Sequence, residues 1–141
     1  MKKFELTSEF VTFLGKKLFR IKALISFGNV EEGELGGYVE KEENLSNDGN
    51  AWVYGNARVC GDARVYGNAD YATVHGFGSE YRTTTFFRTK AGEIGVRCGC
   101  FYGTLEEFRA KIKETHGETK TAKEYLMVAD LMEFRFSKEE A

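Results

Sequence analysis

Four glycines at six-residue intervals, Gly49, Gly55, Gly61 and Gly67, constrain this chain more than any other feature of it. Each is followed by Asn50, Asn56, Asp62 or Asn68, and then by Ala51, Ala57, Ala63 or Ala69. Two residues further on stand Val53, Val59, Val65 and Tyr71. In an extended segment residues two apart share a face, so each Ala and its Val point the same way. The residue between them, Trp52, Arg58, Arg64 or Asp70, points the other way. Gly followed by Asn or Asp is turn chemistry, because these types tolerate the positive φ that β-branched residues resist. The period therefore predicts short strands and corners that bury the Ala/Val face in a β-helical solenoid.

Val53 with Ala57, Val59 with Ala63, and Val65 with Ala69 place an aliphatic residue four positions before a small one. This pattern resembles the hexapeptide repeat of left-handed β-helix proteins, in which three hexads make a coil of roughly eighteen residues. Val39 and Leu45 precede Ala51 at six-residue steps, which extends the register back towards Leu35. About two coils are expected, from Leu35 to Val74. The expected fold is mainly β with an α+β cap. It comprises an N-terminal β-hairpin cap over 1–34, a short left-handed β-helix over 35–76 and a C-terminal α+β subdomain over 77–141.

The flanks supply the caps. FVTFL and LFRIKAL are aromatic and β-branched runs joined by Gly15-Lys16-Lys17, a connection of hairpin length. Alternation sets Leu18, Arg20 and Lys22 on one side and Phe19, Ile21 and Ala23 on the other. Glu40 to Asn50 reads as a polar loop from a coil corner. Tyr81 to Lys90 and Glu93 to Gly103 read as a second hairpin. Thr104 and Glu107 form a capping box that opens a helix with Leu105, Phe108 and Ile112 on one face and Gly117 at its end. Thr121 and Glu124 suggest a second box, opening a helix that carries Tyr125, Val128, Ala129 and Met132. Glu133 to Phe136 reads as a short closing strand.

Composition excludes several classes. The 141 residues carry a net charge of −2 with scattered basic residues, which argues against a nucleic-acid footprint and against an acidic DNA mimic. No apolar run approaches the ~20 residues of a membrane span, and FELTSEF has no signal-peptide core. Three cysteines without a disulfide framework suggest a reducing cytoplasm.

The run Gly33-Glu34-Leu35-Gly36-Gly37-Tyr38-Val39-Glu40, the GNA repeats and the run from Gly99 to Phe108 ending near Thr115-His116-Gly117 resemble hexapeptide-repeat proteins of bacteriophages and prophages. That resemblance implies a phage context. By analogy with small phage proteins it implies a non-enzymatic binding protein that blocks a host protein, with an anti-CRISPR or other anti-defence inhibitor as the concrete form.

Catalytic readings are weaker. Hexapeptide-repeat folds suggest coenzyme-A-dependent acyltransferases with a loop histidine as base, and His75 follows the last hexad. About two coils are too few for the coenzyme groove. Cys98, Cys100 and His116 lack a fourth ligand for a structural zinc site, so the two thiols read as small buried hydrophobes beside Ile94 and Val96. His116, next to Gly117, reads as a cation at a helix C-terminus. No cofactor and no metal are expected. An outward wall of Trp52, Tyr54, Arg58, Arg64 and Tyr66 is the expected binding surface, since aromatics and Arg are enriched at interfaces. It would serve a host protein or a homo-oligomer, a dimer above all, and with less support single-stranded nucleic acid. The alternative functions are an acyltransferase-like enzyme and a sponge for a small nucleotide signal.

Val59 lies at the centre of the inward face, so Val59→Asp is expected to bury an unpaired carboxylate at a cost of several kcal/mol and to abolish cooperative folding. A thermal melt within a few degrees of the parent would place Val59 in solvent.

Overall fold

The computed structural model describes residues 2–13, 15–67, 70–77, 82–98 and 101–137, with the backbone alone at Phe13 and Arg82. Strands β1 (Phe4–Phe13), β2 (Lys16–Ala23), β3 (Leu35–Val39) and β4 (Arg58–Val59) form a four-stranded sheet in that order. β1, β2 and β3 pair antiparallel, while β3 and β4 pair parallel. β5 (Tyr71–Phe77), β6 (Arg82–Arg88), β7 (Ile94–Cys98) and β8 (Phe101–Thr104) form a second sheet, antiparallel throughout. Helices α1 (Leu105–His116) and α2 (Lys120–Phe136) follow. The architecture is α+β.

The left-handed β-helix is not formed. Among the described residues the repeat stacks in parallel on the preceding segment at Tyr38↔Arg58, Val39↔Val59 and the isolated bridge Leu45↔Val65. Both possible continuations are taken by antiparallel partners: β2 pairs along β3, and β5 at the end of the repeat pairs with β6. The inward side chains of the hexads are nevertheless buried, with Ala51, Val53, Ala57, Val59, Ala63 and Val65 at most 2% exposed. Gly49, Gly55 and Gly61 have the positive φ of 70°, 58° and 61° that the corner reading requires. The period therefore encodes turns and burial without encoding a solenoid.

Three buried devices hold the repeat to the rest of the chain. The first is close approach. A Cβ on Gly36 would lie 2.6 Å from the Val53 carbonyl oxygen and 2.8 Å from the Trp52 ring, and one on Gly37 would lie 2.7 Å from the Ala57 oxygen. The second is Asn44, wholly buried at the end of the 3₁₀ turn Glu42–Asn44. Its Oδ1 accepts from the amides of Glu40 (3.1 Å) and Lys41 (3.0 Å), while its Nδ2 donates to the carbonyls of Gly61 (3.1 Å) and Ala63 (3.0 Å). Lys3 adds a third tie, its Nζ donating to the Ala51 carbonyl at 2.7 Å and lying over the Phe27 ring. Burial lowers the pKa of that ammonium, against the opposing charge of Asp48.

The hairpin and the repeat share one core, from Phe4, Leu18 and Ile21 to Trp52, Val59 and Val65. Leu18 and Ile21 are both fully buried, which strict alternation along β2 does not allow. Register shifts flank this stretch in both pairings, between Leu6 and Phe10 of β1 and between Arg20 and Lys22 of β2. The second sheet serves two cores because successive residues face opposite ways: Phe86 and Val96 pack on the helices, Tyr71 and Phe87 on the repeat. The helix core holds Leu105, Phe108, Ile112, Tyr125, Val128 and Met132.

The Thr104–Glu107 box closes α1 as read, the Thr104 amide donating to Glu107 Oε1 at 2.8 Å and the Glu107 amide to Thr104 Oγ1 at 3.2 Å. α2 is capped by Thr119 rather than Thr121, its hydroxyl accepting from the Ala122 amide. Glu133 to Phe136 continues α2 instead of forming a strand, since Met132 and Phe136 stay four apart on its buried face. Among the described residues no helix is long and apolar enough to cross a membrane.

Asn44→Ala would leave two amides and two carbonyls without their partner, and we expect a loss of roughly 2–4 kcal/mol in chemical denaturation. Asn44→Asp keeps the two accepted bonds but sets a carboxylate oxygen against two carbonyl oxygens. It should therefore be less stable at pH 7 than at pH 4 relative to the parent. A cost below about 0.5 kcal/mol for Asn44→Ala would remove Asn44 from this role.

Candidate functional site

The register of the first sheet sets Arg20, Tyr38 and Arg58 side by side on three adjacent strands. Both guanidinium groups lie over the Tyr38 ring, with Cζ 4.8 Å from its centroid for Arg20 and 5.6 Å for Arg58. Such cation–π contacts hold a charge flat against a rigid plane. Arg20 also donates to the Tyr38 hydroxyl at 2.7 Å and pairs with Glu9, Nε to Oε2 at 3.0 Å. The Tyr38 hydroxyl donates to the same Glu9 oxygen at 3.3 Å. The hydrogen bond to Tyr38 and the charge of Glu9 raise the Arg20 pKa against the opposing effect of burial.

Arg58 differs from Arg20. It is half-buried, its amide donates to Thr85 Oγ1 at 3.1 Å on β6, and no carboxylate among the described residues forms an ion pair with it. Tyr54 stands one turn earlier, 42% exposed, with its amide held by the Tyr71 hydroxyl at 3.0 Å. A cation packed on an aromatic ring and without an ion-pair partner among the described residues suits an anionic group carried by a partner.

Of the five residues expected on one outward wall, the structure gathers only some. Trp52 is fully buried and packs edge-on against Phe27, with ring centroids 5.4 Å apart. The outward reading fails there because residues 51–54 form no regular strand and the segment at Phe27 covers the indole. Arg64 is half-buried, its Nη1 donating to the Ala63 carbonyl at 2.9 Å and its amide to the Arg88 carbonyl. Tyr66 is 67% exposed in a turn whose amides, of Tyr66 and Gly67, donate to Asp70 Oδ2. Glu9, Arg20 and Tyr38 were not singled out from the sequence. The alternation of β2 and the Gly36-Gly37-Tyr38 run are the signals that bear on them.

The other candidate groups hold structural positions. His75 is exposed, its Nδ1 2.8 Å from Thr83 Oγ1. Cys98 is half-buried against the helix core and its Sγ accepts from Thr84 Oγ1 at 3.1 Å, whereas Cys100 lies outside the described residues. His116 stacks on Tyr125 with centroids 6.3 Å apart. Cys60 is buried where the repeat meets the second sheet, near Glu40 and Arg97. Burial pushes its thiol up to about 11, with Arg97 opposing and Glu40 reinforcing. At neutral pH it is a thiol and a poor nucleophile. Comparisons with protein-family models, with curated proteins and with solved structures gave no match.

The Cys60 shift has a stability consequence. The folded thiol ionises near 11 and the unfolded one near its ordinary 9.0, so the stabilisation is complete below pH 9 and is lost as pH rises through 11. Between pH 8 and pH 10.5 the parent should lose on the order of 1–2 kcal/mol more than Cys60→Ala in parallel denaturation curves. Equal losses would mean that Cys60 ionises as readily folded as unfolded.

Proposed function

We propose that this chain is a non-enzymatic binding protein that recognises an anionic segment of another protein at Arg58. The observation that supports this reading is half-buried Arg58, its guanidinium over the Tyr38 ring and without a carboxylate partner among the described residues. Keeping a cation partly desolvated has a cost, and a carboxylate or phosphate supplied by a partner offsets it. Arg20 plays a supporting part, because Glu9 already neutralises it. Obstruction of a host protein, in the form of an anti-defence inhibitor, is the version that the phage resemblance implies. In that version the protein acts by occupancy, with binding energy concentrated in a few aromatic and Arg anchors.

Arg58 and Tyr54 separate this reading from its rivals. Host-cell lysate passed over immobilised parent should yield a retained protein that is lost on Arg58→Glu and reduced by Tyr54→Ala. Melting temperature should stay within a few degrees, and retention should weaken as salt rises. Retention by Arg58→Glu at the parent's level would remove this surface from the function. Turnover of acetyl-coenzyme A by the parent would replace the reading with a transferase.

A further inference from the structure

We infer, resting on the reading of Arg58 as an anion site, that Glu9 sets the charge this site accepts: a single carboxylate of an acidic peptide segment rather than a dianionic phosphate. Arg20 and Arg58 stand on the strands to either side of Tyr38, and both guanidinium groups contact its ring. Their Cζ atoms lie 4.8 Å and 5.6 Å from one ring centroid. The two cations are therefore no more than about 10 Å apart, the Debye length of ~0.1 M salt. An anion bound at Arg58 feels Arg20 as well, and with it whatever neutralises Arg20.

Glu9 reaches this cluster through an irregularity in β1. The pairing of β1 with β2 shifts register between Leu6 and Phe10, and a bulge of that kind re-aims the side chains it carries. The Thr7 hydroxyl donates to the Arg20 carbonyl at 2.8 Å and accepts from the Glu9 amide at 3.3 Å. One hydroxyl thus ties the backbone of Glu9 to the backbone of the residue that its carboxylate meets. Glu9 Oε2 lies 3.0 Å from Arg20 Nε and accepts from the Tyr38 hydroxyl at 3.3 Å. The Glu9 side chain is 59% exposed, and an ion pair so open to water contributes little to stability. Its larger consequence is for the charge presented to a ligand.

Two guanidinium groups and one carboxylate around Tyr38 leave one positive charge. A partner's Asp or Glu brings one negative charge and satisfies it. A phosphate monoester brings close to two at neutral pH, and the second meets Glu9 where Arg20 would otherwise receive it. A nucleic-acid strand carries single charges in close succession, so its next phosphate raises the same conflict. Rejection of the wrong anion by a like charge is a general route to specificity.

Two capped tripeptides with neutral flanks, one carrying glutamate and one phosphoserine at the centre, test the inference. Their dissociation constants are read by NMR from the Arg58 side-chain Nε resonance. Glu9→Gln, at an exposed position, should leave the melting temperature little changed. It should move the ratio of the two constants in favour of phosphoserine by about threefold or more. The double variant Arg20→Gln, Glu9→Gln leaves one positive charge again and should return the ratio to within about twofold of the parent. A smaller movement in Glu9→Gln, or a double variant that keeps the ratio of Glu9→Gln, would overturn the inference and leave the reading of Arg58 standing. A thymidine tetranucleotide bound more tightly than the glutamate peptide would overturn the assignment to a peptide carboxylate. A parent that binds neither peptide, or binds both equally well after Arg58→Glu, would overturn the reading of Arg58 and the inference with it.

Discussion

Asn44 is the group on which the first half of the molecule depends. Among the described residues the repeat contributes two residues of regular strand to the first sheet, with further backbone bonds such as the Gly37 amide to the Val53 carbonyl and the Ser46 amide to the Val65 carbonyl. A buried amide that donates twice and accepts twice locks that pairing in place. It ties the turn after β3 to the third hexad, at the carbonyls of Gly61 and Ala63. Around it the Ala/Val column excludes water, which strengthens each of those bonds and makes any missing one expensive. Gly36 and Gly37 let the backbone of β3 approach the repeat closely enough for this geometry to exist.

The second sheet then divides the molecule into layers. One face receives the repeat, through Phe87, Tyr71 and the hydroxyl of Thr85, and the other receives the helices, through Phe86 and Val96. Adjacent residues on one strand thus belong to different cores. This arrangement explains why Arg58 is held from two directions, its amide by β6 and its side chain by Tyr38 of β3. Among the described residues that guanidinium has no ion-pair partner. By contrast Arg109 sits at the junction of the helices and gathers three carboxylates.

Legibility from the sequence followed the range of each interaction. Period-two burial within the hexads and the Thr104–Glu107 cap are settled by residues a few positions apart, and both were readable. The α2 cap was misplaced by two residues, because Thr119 and Thr121 are chemically equivalent and only the approach of the chain separates them. The candidate site was half readable. Arg58 and Tyr54 stand in the repeat pattern, but Glu9, Arg20 and Tyr38 join Arg58 only through the pairing of β1, β2, β3 and β4.

What the sequence by itself determined is therefore which side chains of the repeat turn inward, where its corners fall and where α1 begins. Tertiary structure alone decided how many turns stack, that Trp52 is covered, and that the outer face of α2 is left apolar and exposed. The physical reason is that a strand edge offers the same hydrogen bonds to a parallel coil or to an antiparallel hairpin. The choice is made by which distant segment reaches that edge with a matching apolar face. In this chain β2 and β6 made it, and the hexapeptide period became one wall of an α+β fold.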